Sequence, residues 1–347
     1  MLKATFKKYT LNFKNPAITS RATMLEKDTY FIKIWDESAP HIYGLGECAL
    51  FKGLGSDDKP DYEQVLCQIC QDINNISPNN IEYSSIRFGI ETALFDLKNG
   101  GVRKIFDSNW SKGLAHIQIN GLIWMGTFNE MFERINQKLE AGFNCIKLKI
   151  GGIDFNKEIK LLKYIRSNFP TNNLEIRLDA NGAFAANDAL SYLEKLSKYN
   201  IHSIEQPIKP NQWEAMELIC KNSPIPIALD EELIGVEGKE LKEQLLHSIS
   251  PAYIILKPSL CGGFYGANEW IKLAEDLNIG WWATSALESN IGLNAIAQWI
   301  STYRTSLPQG LGTGALYSNN IESPLEQVDD VLLYNPKKSW EIPSMIL

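Results

Sequence analysis

One texture dominates the sequence from residue 116 to residue 312: short apolar runs that alternate with segments of helical periodicity. The runs lie near residues 116–119, 144–150, 174–179, 202–205, 225–230, 252–257, 279–284 and 309–312, and helical patterns fall between them at 128–141, 156–169, 186–198, 213–221, 266–277 and 292–303. A parallel strand reads as a nearly continuous apolar run because both of its faces are covered, so this alternation marks βα units. Eight such runs at a spacing of about 25–30 residues predict an α/β protein whose strands close into a TIM-type (β/α) barrel rather than an open Rossmann sheet.

Such a barrel takes about 250 residues, and a chain of 347 residues leaves room for a second, smaller domain. The first fifty residues read as three strands, at 4–13, 30–35 and 42–47. Helices are predicted over 61–73 and 84–98, the second opening on Ser84-Ser85 and closing before Gly100-Gly101. The expected organisation is an α+β capping domain over 1–110 and a barrel over 111–317, with a tail over 318–347 that lacks βα texture and returns to the capping domain. Two polar connections, 16–26 with Arg21 and 49–58 with Lys52-Gly53-Leu54-Gly55, are expected to be mobile loops able to act as lids.

Composition narrows the function classes. Apolar residues at 44% and charged residues at 22% are globular values. A net charge of -7, with basic residues scattered, provides no surface for nucleic acid. No apolar run is long enough to span a membrane, and the amino terminus lacks the continuous apolar core of a signal peptide, so a cytoplasmic protein without a membrane segment is expected. The six cysteines, at 48, 67, 70, 145, 220 and 261, are too scattered for a disulfide framework, and the Cys67-x-x-Cys70 pair sits on a helical pattern with no second pair of ligands. His41, His116, His202 and His247 share no ligand spacing, and Gly310-x-Gly312 comes too late, with no βαβ unit after it, to hold a dinucleotide. The composition is compatible with a homo-oligomer and does not define one.

Against this background, charge inside the predicted strands is conspicuous. In Cys145-Ile146-Lys147-Leu148-Lys149-Ile150, alternation puts both lysines on one face and the three aliphatic side chains on the other. A buried lysine needs an anion or loses its proton. Three later runs end in a carboxylate, at Asp179, Glu205 and Asp230, and a fourth ends in Lys257; in each, the preceding Leu or Ile takes the helix-facing side and sends the charge toward the barrel axis. The carboxylates are one βα unit apart, which places them on adjacent strands at the carboxyl face where barrel enzymes carry their chemistry.

Converging carboxylates repel unless a cation joins them, and a hard divalent ion with oxygen ligands suits the set; no His or Cys stands at these strand ends to favour zinc. Mg²⁺ is the expected cofactor, with Mn²⁺ as the alternative, held by Asp179, Glu205 and Asp230. Proton abstraction beside a carboxylate then gives the lysines a purpose: Lys149 as the base, Lys147 as a like charge that lowers its proton affinity, and Lys257 approaching from the opposite side. The expected partner is a small-molecule carboxylate. A metal-free Schiff base at Lys149 or Lys257, and a non-catalytic barrel that uses the metal site to hold a carboxylate, also fit these residues.

With these charges in place the chain resembles, over essentially its whole length, the enolase superfamily in its muconate-lactonizing subgroup. A lysine base paired with Mg²⁺ is a known pattern for enolase-type sites. The resemblance implies a (β/α)7β modified TIM barrel under a capping domain, with Lys147 and Lys149 matching the subgroup's Lys-x-Lys, Asp179, Glu205 and Asp230 its metal ligands, and Lys257 its sixth-strand lysine. Where dipeptide epimerases carry an Asp-x-Asp on the last strand, this chain has Gly310-Leu311-Gly312-Thr313-Gly314-Ala315. That segment through Ser323, and Ser285-Ala286-Leu287-Glu288-Ser289, are similar to o-succinylbenzoate synthases. The implied activity is a carbon–oxygen lyase reaction of menaquinone biosynthesis, the syn dehydration of 2-succinyl-6-hydroxy-2,4-cyclohexadiene-1-carboxylate through an enediolate. N-acylamino acid racemisation, dipeptide epimerisation and cycloisomerisation are the alternatives within the subgroup. Arg177 and Asn181, on the inward side near Asp179, and Ser285 are expected to orient ligands, whereas Glu231 has the wrong parity for direct ligation unless a bulge intervenes.

Overall fold

The computed structural model describes residues 1–18, 23–170 and 173–347. Three antiparallel strands open the chain: β1 (Leu2–Ile18), β2 (Thr23–Asp36) and β3 (Tyr43–Cys48), in that spatial order. The middle of β2 and nearly all of β3 are buried on both faces, and alternation along β2 decides which residue goes where. Tyr30, Ile32 and Ile34 pack with Ile86 and Ile90 of a helix, while Phe31, between them, packs with Leu45, Ile291 and Ile346 on the opposite face. The connection predicted as a loop over 16–26 is largely strand, because Ala17 pairs with Met24 and Ile18 with Thr23 after a bulge. Arg21 lies outside the described residues.

Helices α1 (Tyr62–Gln71) and α2 (Ser84–Lys98) follow. Ser84 and Ser85 are the first helical residues of α2 rather than its cap. Their N–H groups donate instead to the Asp57 carboxylate, at 3.2 and 2.7 Å, so the predicted lid segment 49–58 is tied to the helix by a distant cap.

The second half is a curled parallel sheet of seven strands with helices outside. In chain order these are β4 (Ile117–Gln118), which stands apart, then β5 (Gly121–Ile123), α3 (Phe128–Glu140), β6 (Cys145–Lys149), α4 (Phe155–Asn168), β7 (Glu175–Asp179), α5 (Ala186–Leu196), β8 (Ser203–Glu205), α6 (Trp213–Asn222), β9 (Ile227–Leu229), α7 (Lys239–Ile249), β10 (Tyr253–Leu256), α8 (Gly263–Asp276), β11 (Gly280–Ala283) and α9 (Asn290–Ile300). The sheet order runs from β11 back to β5 without a break. Single parallel bridges from Thr284 to Gly310 and from Ile119 to Gln309 draw its two edges toward each other.

Two features differ from the sequence pattern. The first strand of the sheet is β5 rather than the run at 116–119, because Ile117 and Gln118 are taken by the tail: β12 (Leu325–Val328) and β13 (Val331–Tyr334) form a hairpin, and β13 pairs antiparallel with β4. Helix α7, not among the predicted helices, has a legible pattern in its buried Leu245, Leu246 and Ile249. Around residue 318 the tail also binds β1, with Asn319 Nδ2 donating to Thr10 O at 2.8 Å and Ser318 N–H to Asn12 O at 2.9 Å. Among the described residues no helix is long and apolar enough to cross a membrane, and the six cysteines are free thiols.

Candidate active site

Lys147 and Lys149 of β6, Asp179 of β7, and Glu231 and Lys257 after β9 and β10 line a cavity of about 270 Å³, and Glu205 and Asp230 lie behind that lining. Register brings three of the predicted charges into one row: Lys149 stands beside Asp179 on β7, and Asp179 beside Glu205 on β8. Asp230 and Lys257 follow immediately after β9 and β10. All five of these side chains and Lys147 are buried or nearly so, and each charge has a partner. Lys147 Nζ donates to Glu205 Oε2 at 2.8 Å and lies 3.4 Å from Asp179 Oδ2; Lys149 Nζ donates to the same Asp179 oxygen and to Asn181 Oδ1, both at 2.7 Å; and Lys257 pairs with Asp230. The two lysines of β6 are thus answered by the carboxylates of the next two strands.

The electrostatics of the cluster are unequal. Burial alone would lower the Lys147 pKa, but the charges of Glu205 and Asp179 outweigh it and hold the amine above its usual value. Burial would likewise raise Asp179, and Lys149 and Lys147 reverse it, keeping that carboxylate ionised. For Glu205, burial and then the charge of Asp179 win, and the carboxyl is pushed well up. The carboxylate row therefore has one member that retains a proton most readily.

Whether this arrangement suits a cation depends on its donors. Among the described residues no three carboxylate, histidine or cysteine side chains are drawn to ligand spacing, since the ammonium groups bridge the carboxylates instead. Yet Glu205 Oε1 is buried with no hydrogen-bond partner, and three carboxylates on consecutive strands make an all-oxygen donor set of the kind a hard divalent cation takes. The residues fit such an ion, provided that the lysine contacts to them are released.

The remaining predicted residues divide. Asn181 lines the cavity, in a left-handed conformation with φ 47°, and donates through Nδ2 to Glu231 Oε1 at 2.9 Å. Ser285 also lines it. Arg177 does not: it is 1% exposed, donates to Glu175 Oε1 at 2.7 Å and Pro308 O at 2.8 Å, and stacks 4.2 Å from the Trp282 ring, so it packs the inside of the sheet rather than orienting a ligand. The parity argument about Glu231 does not apply, because β9 ends at Leu229 and the chain enters a 3-10 turn at Glu231 that delivers this side chain to the cavity. Gln206, with φ 40°, shapes that turn by accepting from the N–H groups of Asp230 and Glu232, both at 3.2 Å. The apolar wall includes Leu122 and Trp124, whose ring centroid is 5.6 Å from Lys149 Nζ; both went unpredicted because β5 begins later than the apolar run suggested. Met24 of β2 and Phe51, Lys52 and Leu54 of the 49–58 segment close the cavity from the other side.

The chain is similar to known proteins along most of its length. A model of the enolase C-terminal domain-like family matches residues 130–334. The o-succinylbenzoate synthase of Desulfotalea psychrophila is 44% identical, over 96% of this chain and 98% of that protein. The crystal structure of MenC from the same organism superposes with a TM-score of 0.85 at 40% identity, covering 96% of this chain and 99% of that one. A dipeptide epimerase from Enterococcus faecalis, solved with Mg and L-Leu-L-Tyr, shares the fold with a TM-score of 0.83 at 18% identity, over 96% and 97% of the two chains.

Proposed function

Since the chain belongs to the enolase C-terminal domain-like family, we propose that it works as its 44%-identical relative is named to work, as an o-succinylbenzoate synthase. It is a lyase that removes water from 2-succinyl-6-hydroxy-2,4-cyclohexadiene-1-carboxylate, a step of menaquinone biosynthesis. The observation that carries the reading is the match along nearly the full length of a synthase, in a chain whose last barrel segment, Gly310 to Ala315, offers no carboxylate to an ammonium. We take the architecture as a (β/α)7β barrel, with Gln309 and Gly310 as its closing strand, under a cap formed by residues 1–110 and the tail.

Asp179, Glu205 and Asp230 are the residues that would hold Mg²⁺, the ion that enolase-superfamily enzymes generally use. A divalent cation there supplies positive charge opposite the substrate carboxylate, where negative charge accumulates when the neighbouring proton leaves. Lys149 removes that proton, and its position beside Asn181 and over the Trp124 ring fixes where the amine points. As an ammonium the same group then returns a proton to the departing hydroxyl, which makes the elimination syn. Lys257 holds its charge from the far side of the cavity, and Lys147 balances Glu205 and Asp179. Aromatisation of the ring drives the second step. The apolar wall of Leu122, Trp124, Phe51 and Leu54 excludes water from the reacting face.

The test is the ultraviolet appearance of o-succinylbenzoate from the hydroxycyclohexadiene carboxylate. Turnover is expected with Mg²⁺, abolished by EDTA and restored by excess Mg²⁺. Racemisation of N-succinyl amino acids faster than this dehydration would overturn the assignment.

A further inference from the structure

The loop that walls the cavity after β11 is anchored by a buried charge cluster that the proposed chemistry does not use. Glu288 is fully buried; its carboxylate accepts from Ser285 Oγ at 2.5 Å and from Ser259 Oγ, and its own N–H donates back to Ser285 at 3.2 Å. Ser285, Ala286 and Leu287 line the cavity, and Ser259 stands two residues beyond Lys257. Glu47, on β3 of the first domain, is equally buried and gathers the next turn of the same segment: Ser289 N–H and Thr29 Oγ1 donate to one oxygen, each at 2.9 Å, and Ser289 Oγ at 2.6 Å and Gly292 N–H at 3.0 Å to the other. Both acids lean on Gly292, where a Cβ would meet the Glu288 Cβ at 2.7 Å and Glu47 Oε2 at 2.9 Å.

The cation facing them is Lys27 on β2. Two residues before Thr29, it shares the face of β2 whose Thr29 hydroxyl donates to Glu47; it is 7% exposed, its Nζ has no hydrogen-bond partner and lies 6.0 Å from the centroid of the Phe51 ring, and burial lowers its pKa against the charges of Glu47, Glu288 and Asp28. A buried ammonium without a hydrogen bond is costly, and so are two buried carboxylates without a cation. Here the opposite charges work against that cost of burial, Lys27 at Glu288, and Glu47 and Glu288 at Lys27, and they come from different halves of the molecule: Lys27 and Glu47 from the first sheet, Glu288 from the barrel loop. We propose that Lys27 is a positioning residue, whose charge balances Glu47 and Glu288 across the boundary between cap and barrel and so holds the Ser285–Leu287 wall, and the loop after Lys257, in place around the substrate. The role is one of binding geometry, and it rests for its kinetic readout on the function proposed above.

The experiment is a double-mutant cycle on the intact enzyme with Mg²⁺. Lys27→Met keeps the side chain's length and removes its charge. KM is expected to rise at least about tenfold while kcat stays within about threefold, because Lys149 and Lys257 keep their own partners. Glu288→Gln in the same background removes the carboxylate left without a cation, and the double variant is expected to recover most of the loss in KM and in Tm. Lys27→Arg should stay near the wild type. Additive losses in the double variant, or a Lys27→Met enzyme with unchanged KM and Tm, overturn the proposal. If Lys27→Met does not accumulate as folded protein, recovery of folded protein in the double variant supports the charge balance and failure to recover refutes it. A wild type that makes no o-succinylbenzoate overturns the function instead, and the Tm arm of the cycle still decides the inference.

Discussion

At Lys149 two neighbours compete for one ammonium group: Asp179 Oδ2 and Asn181 Oδ1, both at 2.7 Å. A shared carboxylate oxygen, which Lys147 approaches at 3.4 Å, stands between the two lysines of β6. Lys149→Ala removes the proposed base while leaving Lys147 to pair with Glu205 and Asp179. We expect kcat to fall by at least about 10²-fold with the far-ultraviolet circular dichroism unchanged. Turnover equal to the wild type would refute the base assignment. The six charged positions were legible because a charge on an apolar strand is a local anomaly, and period-two geometry says which way it points. Trp124 and Glu231 were not, because the first depends on where β5 begins and the second on a 3-10 turn that breaks the period.

At the scale of elements, a buried side chain holds the join between β6 and α4. Glu158 is buried on α4, where it accepts from Gly151 N–H at 2.7 Å and ties down the loop just after the two lysines. Burial raises its pKa to about 7, against the pull of the backbone N–H groups of that loop. An unfolded glutamate titrates near about 4.3. Between these values the folded protein binds more protons than the unfolded chain, so this group's contribution to stability is complete below about 4.3 and is lost as pH rises through about 7. Glu158→Gln abolishes the linkage. Relative to the wild type, the variant should gain stability between pH 5 and pH 8, by a differential on the order of 3 kcal/mol at most, read by urea unfolding at the two pH values. Parallel pH profiles would count against it. In the amino-terminal sheet the tight element is β3 on α2: a Cβ at Gly46 would stand 1.9 Å from Gly89 O, a backbone atom. Gly46→Ala has no flexible side chain to push aside. It should cost about 3 kcal/mol, the upper end for overpacking, seen as a lowered Tm.

Over the whole molecule, the antiparallel sheet with its helices and the parallel sheet with its helices are joined through α2 and α8. The Phe88 and Phe264 rings meet edge-on with centroids 5.1 Å apart, Glu91 accepts the N–H groups of Phe264 and Tyr265 at 2.6 and 3.1 Å, and Arg87 Nη1 donates to Gly262 O at 3.2 Å. Phe264 is 2% exposed. Phe264→Ala should cost about 3–5 kcal/mol in urea unfolding. A loss below about 1 kcal/mol would mean that this contact does not hold the halves together. The sequence by itself determined the βα alternation, the helix-facing and axis-facing sides of each strand, and the order in which Lys147, Lys149, Asp179, Glu205, Asp230 and Lys257 arrive at one end of the sheet. All of these follow from periods of two and 3.6 residues acting over a few positions. Tertiary structure alone decided that the tail takes Ile117 and Gln118 away from the parallel sheet, that Asp57 caps α2, that Arg177 packs against Trp282, and that Glu47 receives Ser289 and Gly292. Each of these depends on a partner far away in the chain, and local periodicity carries no information about distant partners.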